Sequence, residues 1–277
     1  MIIRTDPGRK VFKISLLALS GLAFIVPFWL LVSASFRETR VLLQYPPALW
    51  PKDATLSNYS SLFSGEYPFS NWMINSIITA SSTTIGALIV CSLAGYAFAK
   101  FRFFGKGFLF MLSMATLMIP VAVMLIPRFI MIKDLGLVNT LPGIFLPGIG
   151  SAFGVFLMRQ FIATLPSSVL EAARVDGASH FRVYINIIVP LIAPALAVLA
   201  IYVFMGEWND LIWPLIVAQS EDMKTIPVGI ASMRMVHHPK WGLMMAASTL
   251  AFLPIFIVFL FSRRRFIEGM TAGAIKG

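Results

Sequence analysis

Hydrophobic residues along this chain fall in blocks long enough to cross a bilayer, separated by short polar breaks. A hydrocarbon core about 30 Å thick takes about 20 apolar helical residues, each rising about 1.5 Å. The blocks predict helices over about 12–36, 71–100, 107–132, 142–163, 187–218 and 243–262. Between the first two, segment 37–70 carries Tyr45-Pro46-Pro47, Trp50-Pro51 and Asn58-Tyr59, too polar and Pro-broken to span, and reads as an external loop. Pro190, Pro194 and Pro214 punctuate the fifth block, each removing a backbone donor and inviting a kink or an end. The fold class expected is an all-α membrane protein, one transmembrane domain over 1–277 with six spanning helices.

Finer features support this reading. A basic head, Met1 to Lys10, precedes apolar residues from Ile14 to Phe36, and Ser33-Ala34-Ser35 looks like a cleavage site. The apolar run exceeds the usual 7–15-residue signal core, so a retained first helix is expected. In the second helix, Ala80-Ser81-Ser82-Thr83-Thr84, Gly86, Cys91 and Gly95 are small residues that let helices approach closely where lipid supplies no hydrophobic drive. Gly150-Ser-Ala-Phe-Gly154 is expected to do the same in the fourth.

Composition narrows the function. Of 277 residues, 58% are hydrophobic and 12% charged, with mean hydropathy +0.84. Soluble domains carry about 25% charged residues, so a soluble enzyme is excluded. The net charge of +10 fits a basic inner membrane face better than a nucleic-acid partner. With both termini cytoplasmic, inside segments hold 14 Lys and Arg and outside segments 8; a multi-pass protein of a bacterial-type cytoplasmic membrane is expected. The chain has one cysteine, Cys91, and no GxxxxGK[ST] phosphate loop. His180, His237 and His238 are too scattered for a helical metal pair. Catalytic residues, a metal site and a resident cofactor are not expected.

One polar interruption stands out, Leu165 to Arg182, within a loop over 166–184. Pro166 halts the fourth helix, and Ser168 with Glu171 matches an S-x-x-E capping box that starts a new short helix. Ala172 and Ala173 keep that helix thin on one side, and Gly177 breaks it. Phe181, Tyr184, Ile185, Ile188 and Val189 then recur at helical spacing, and Pro190 ends the pattern. The expected geometry is helix, corner, helix, lying at the membrane face. A surface helix that merely links two spans satisfies the same pattern.

Glu171-Ala172-Ala173, Gly177 and Ile187-Ile188-Val189-Pro190 resemble the EAA…G…I-x-L-P loop of ABC importer permeases. Phe156-Leu157-Met158-Arg159-Gln160-Phe161, Trp208-Asn209-Asp210, Trp213-Pro214-Leu215-Ile216, Ala94 to Lys100, Gly136-Leu-Val-Asn-Thr140 and Gly269 to Gly277 narrow it. This ordered set, running from the second helix to the last residue, resembles the second, shorter permease subunit of maltose-type carbohydrate importers. Val189 stands where the family has Leu.

The resemblance implies a second homologous permease, an ATPase dimer holding ATP and Mg, an extracytoplasmic solute-binding protein and a sugar or oligosaccharide as cargo. It makes 168–182 the coupling helix, with Glu171, Ala172, Ala173, Asp176, Gly177 and Ala178 seated against the ATPase. Gly273, Lys276 and Gly277 would reach the ATPase dimer, and the loop at about 219–241 would face the binding protein. Glu207 and Asp210 are the acidic residues inside predicted spans, where charge is expensive. With Asn209 they are candidates for the solute path or its gate, structural pairing being the other reading. The rival functions are an ion-coupled secondary transporter or channel acting without an ATPase and a purely structural membrane scaffold, for neither of which a docking helix has a use.

Overall fold

The computed structural model describes residues 7–39, 50, 54–175, 177–235 and 239–274, and all regular structure among them is helical. In chain order the helices are α1 (Pro7–Ser35), α2 (Ser57–Phe63), α3 (Phe69–Lys100), α4 (Lys106–Ala115) and α5 (Val121–Asp134). Next come α6 (Leu141–Phe145), α7 (Ala152–Ala163), α8 (Ser167–Val175) and α9 (His180–Val183). A π-turn over Tyr184–Ile188 joins α9 to α10 (Val189–Leu191), and α11 (Ala193–Trp208), α12 (Ile212–Val217), α13 (Ile226–Arg234) and α14 (Trp241–Ala274) complete the chain.

Among the described residues three helices are long and apolar enough to cross a membrane unbroken: α1, α3 and α14. Three further pairs reach that length only together, and each is bent: Lys106–Met118 with Val121–Asp134 by 107°, Leu141–Gly148 with Ala152–Ala163 by 44°, and His180–Leu191 with Ala193–Trp208 by 79°. Counting each pair as one span gives six.

Local chemistry sets the bends. Ile119 precedes Pro120 and is extended, with φ −83° and ψ 120°, the conformation the proline ring favours in the residue before it. Ser151 is likewise extended, and its hydroxyl accepts the Gly154 N–H at 3.1 Å, so α7 starts afresh. At the third break Ile192 sits at φ −95°, ψ 9°, between Pro190 and Pro194. The fifth block therefore differs from a continuous 187–218 helix: its helical path starts at His180, turns at Ile192 and ends at Trp208, with α12 separate.

The chain divides into two units. The first comprises Met1–Phe69 with Ile230–Leu253. Segment 37–70 within it is not wholly loop, because α2 lies there and Asn58 Nδ2 donates to the carbonyls of Ser35 and Arg37, each at 2.8 Å. The apolar side chains of α1 from Val11 to Leu30 are exposed, as expected of a surface whose solvent is lipid.

The second unit, Ser70–Gly229 with Pro254–Gly277, holds the main core. Cys91 and Tyr96 of α3, Met158 and Ile162 of α7, and Ile188, Ile192 and Leu199 pack there together. Close approach of α3 and α7 depends on glycine. A Cβ on Gly95 would lie 2.6 Å from Met158 Cβ and 2.8 Å from the Arg159 nitrogen, and one on Gly154 would lie 2.7 Å from Cys91 Sγ. Gly86 faces Ile149 in the same manner, whereas Gly150 faces open space and is no packing residue.

Candidate functional site

The polar interruption folds as α8, a nine-residue helix over Ser167–Val175. It begins at Ser167, so Pro166 occupies the position before the helix and Ser168 falls inside the first turn instead of capping it. The two sides of α8 differ. Leu170 is buried and Ala173 half-buried against the core, while Ser167, Ser168, Glu171 and Val175 are exposed. The Ala172 side chain and all of Asp176 lie outside the described residues.

The corner after α8 is built by hydrogen bonding. The Ala178 N–H donates to the Ala173 carbonyl at 3.0 Å across Gly177, whose φ is +77°. That is the six-to-one bond of a Schellman cap, with glycine at the left-handed position and its two alanines packed on the core. The Ser179 hydroxyl then accepts the Arg182 N–H at 3.3 Å and starts α9. Thus Ala173, Gly177 and Ala178 form one device, a sharp elbow closed by a backbone hydrogen bond.

Beyond the elbow the chain is tied to the spans. Tyr184 is buried, shares a hydrogen bond of 2.6 Å with Ser92 of α3, and stacks on Tyr96 with ring centroids 5.8 Å apart. Lys100 Nζ donates to the Leu165 carbonyl at 2.6 Å. The apolar stripe differs from its sequence expectation: Phe181 and Ile185 are exposed, and the buried series runs Val183, Tyr184, Ile188, Ile192. The π-turn widens the buried spacing from Val183 to Ile188 to five residues and leaves Ile185 outside it, while Phe181, which precedes the turn, lies on the exposed side of α9. The helical path also continues through Pro190 to Leu191 before it breaks.

The three acidic or amide candidates near the end of α11 separate. Asn209 is exposed, and its Nδ2 donates to the Met205 carbonyl at 2.7 Å. The Asp210 carboxylate accepts from the N–H groups of Ile212 and Trp213, at 3.1 and 3.4 Å, and so caps α12. Only Glu207 faces inward, its carboxylate lying over Gly148 and beside the buried Thr83 of α3, whose hydroxyl donates to the Phe145 carbonyl at 3.3 Å. A Cβ on Gly148 would also lie 2.7 Å from Thr83 Cγ2. Thr83, Gly148 and Glu207 thus make one polar node among apolar helices.

Segment 219–241 is far from an open loop: it contains α13, and its beginning is clamped. Asn75 Nδ2 donates to the carbonyls of Asp222 and Lys224 at 2.7 and 3.0 Å, Trp72 Nε1 to that of Glu221 at 2.8 Å, and Ser76 Oγ accepts the Ile226 N–H at 2.8 Å. Asn139, left-handed at φ 57°, accepts on Oδ1 from the Gln219 N–H at 2.9 Å and the Ser220 N–H at 3.0 Å. Sequence reasoning assigned no role to Trp72, Asn75 or Asn139 and read Thr83 only as a small packing residue; polar residues in an apolar helix face and the Gly-Leu-Val-Asn-Thr string were the available signals. At the C-terminal end Gly273 falls in α14, while Lys276 and Gly277 lie outside the described residues.

Residues 87–271 match the family model described as "Binding-protein-dependent transport system inner membrane component". The chain is 33% identical over 281 residues to the arabinooligosaccharides transport system permease protein AraQ of Bacillus subtilis (strain 168), covering 100% of both chains. It is 34% identical to the lactose transport system permease protein LacG of Rhizobium radiobacter, over 96% of each chain. Among solved structures, a chain of a bacterial ABC transporter involved in the import of the acidic polysaccharide alginate superposes with a TM-score of 0.84 at 22% identity, covering 96% of this chain and 99% of that one.

Proposed function

The chain belongs to the family of binding-protein-dependent transport system inner membrane components, and from that premise we propose that it carries an oligosaccharide or other sugar across the membrane and that α8 is its docking helix for a separate ATPase. It is a multi-pass permease of an ABC importer. The substrate class follows the relatives, whose names refer to arabinooligosaccharides and lactose. The observation that carries the coupling role is the elbow: a short helix with Glu171 and Val175 exposed on one side, Leu170 and Ala173 anchored on the other, and a glycine-closed corner.

In this reading the ATPase pair holds ATP and Mg, hydrolyses it, and moves against the exposed side of α8. Displacement passes through the Schellman corner to Tyr184 and thence to α3 through Ser92, because each joint is a packed or hydrogen-bonded contact. A second homologous permease completes the path, an extracytoplasmic binding protein delivers the sugar, and both termini lie on the ATPase side. Asp176 and Ala172 belong to the same docking surface, and Gly273, Lys276 and Gly277 form a second ATPase contact. Glu207, with Thr83, is the polar node where sugar hydroxyls or a gate would act, while Asn209 and Asp210 hold its end of the helix in place. A motor shifts the balance between inward- and outward-facing states only through differential contacts with the two.

The test is purification and reconstitution. Full-length protein extracted from its membrane brings down an ATPase and a second permease, and Glu171→Ala weakens that association without loss of inserted protein. Sugar uptake by this chain alone in liposomes, without ATP, would instead establish the ion-coupled carrier.

A further inference from the structure

On α11, Tyr202, Met205, Gly206 and Asn209 recur at the spacing of one helix side, and all four are exposed. Two contacts set α11 against the segment that leads into α7. The Glu207 carboxylate lies over Gly148, and the Phe153 and Tyr202 rings meet with centroids 4.7 Å apart. Between these two levels stand Gly150 on one segment and Gly206 on the other, and a Cβ on either would meet nothing within 4 Å. Neither glycine has a positive φ, and glycine inside a helix is less favourable than alanine. Packing and backbone conformation within the chain therefore give no reason for them. Both segments belong to bent pairs long enough to cross a membrane. On α1 the exposed Ser20 hydroxyl donates to the Leu16 carbonyl at 2.8 Å, so it can face hydrocarbon. Tyr202 is 56% exposed, and its hydroxyl makes no hydrogen bond among the described residues. Asn209 spends one amide hydrogen on the Met205 carbonyl, which leaves its other hydrogen and its oxygen. Unpaired polar groups turned toward lipid are costly, so this is not a lipid face.

We infer that this face is a sugar subsite of the permease itself, in which one ring of the cargo lies over Gly206 and Gly150 between Tyr202 and Asn209. The inference rests on the reading of the chain as a sugar permease and adds which residues touch the cargo. Tyr202 and Asn209 are seven residues apart, about 10.5 Å along the axis, with Gly206 between them. At one end the Tyr202 ring, backed by Phe153, offers an apolar surface for a sugar face and a hydroxyl at its tip. At the other end the Asn209 amide offers a donor and an acceptor. The bare backbone of the two glycines gives the ring its room. Aromatic walls with a few fixed polar groups are the usual make-up of a small-molecule site. A helix of the second permease could also exploit small residues. Tyr202, however, rises one turn from Gly206 and blocks the close approach such a helix needs, and its hydroxyl would then be buried without a partner of its own. Sugar hydroxyls both donate and accept, so they answer both ends. Glu207 turns inward over Gly148, away from this face.

The experiment reconstitutes the full-length chain with its natural partners into proteoliposomes and offers radiolabelled lactose, arabinotriose and maltotriose; whichever the unaltered transporter imports is the probe. Tyr202→Ala lowers its uptake about tenfold, through loss of the ring and its hydroxyl, and Tyr202→Phe about threefold, through loss of one neutral hydrogen bond. Gly206→Leu fills the room for the ring and lowers uptake at least as far, while the melting temperature does not drop, since a Cβ there meets nothing. A second readout uses Gly206→Cys. Cys91 is buried, so a polar methanethiosulfonate should add its mass to this chain at position 206, and the probe sugar should slow the reaction. A thiol at 206 that never reacts in the assembled transporter would mean that a partner helix or lipid covers the face. That result, reaction indifferent to the sugar, or uptake unchanged by Tyr202→Ala and Gly206→Leu would each overturn this inference alone. Import of none of the three sugars by the unaltered transporter would overturn the sugar reading, and this inference with it.

Discussion

Replacing Gly177 isolates the physics of the elbow, because the site is sterically open and conformationally demanding. A Cβ there would meet nothing within 4 Å, yet φ is +77°. Bulk is therefore irrelevant, and only the left-handed backbone carries a penalty. For alanine it amounts to about 1–2 kcal/mol; asparagine tolerates the region better, and a β-branched valine worse. A penalty of that size lowers the population of the closed corner by a factor of about 5–30. The Ala178 to Ala173 hydrogen bond is what opens. The rest of the core is untouched, so insertion is expected to continue at the normal level. Co-purifying ATPase per copy of inserted permease should fall in the order Gly, Asn, Ala, Val. Valine indistinguishable from glycine, or asparagine below alanine, would refute the reasoning, as would a loss of inserted protein that parallels the loss of partner.

Other positions give equally definite expectations. Gly95→Leu drives a side chain into Met158 and the Arg159 backbone, an overpacking cost of at least about 1–3 kcal/mol, and should abolish folded protein in a detergent thermal-shift assay, whereas Gly150→Ala, facing open space, should leave the melting temperature unchanged. Asn139→Ala removes the acceptor of the Gln219 and Ser220 N–H groups, a loss of about 0.5–1.5 kcal/mol per bond since water reaches both, and hydrogen exchange over 217–220 should quicken. Glu207→Gln keeps the volume and a polar group beside Thr83 and over Gly148, so the protein should stay folded; if Glu207 serves the solute path, uptake falls with this substitution while melting temperature does not.

Much of this architecture is legible from hydropathy because crossing helices need little beyond length and apolarity: α1, α3 and α14 fall where the apolar blocks are. The bends are less legible. Pro120 and Pro194 announce a disturbance, but its angle depends on the backbone of Ile119 and Ile192, and no pattern of apolar residues encodes that. The π-turn explains why Ile185 sits outside the stripe its spacing suggests, since a 3.6-residue period assumes regular winding. At the elbow, Gly177 is readable as a corner, yet the bond that makes it one joins Ala178 to Ala173, residues with no polar side chain to advertise it. Asp210 drew notice as a charge in a span; its capping of α12 became visible only once that helix separated from α11. Asn75 and Trp72 hold backbone carbonyls about 150 positions away, a pairing that local sequence cannot express.

The most direct measurement places a cross-linker at Val175, on the exposed side of α8. The chain's one native cysteine, Cys91, is buried, so a cysteine introduced at 175 is the reactive thiol in intact membranes. A bifunctional maleimide should join position 175 to a nucleotide-hydrolysing subunit, with the yield changing when ATP is added. A thiol at 175 that shuns aqueous reagents, or that couples to the solute-binding protein instead, would contradict the account.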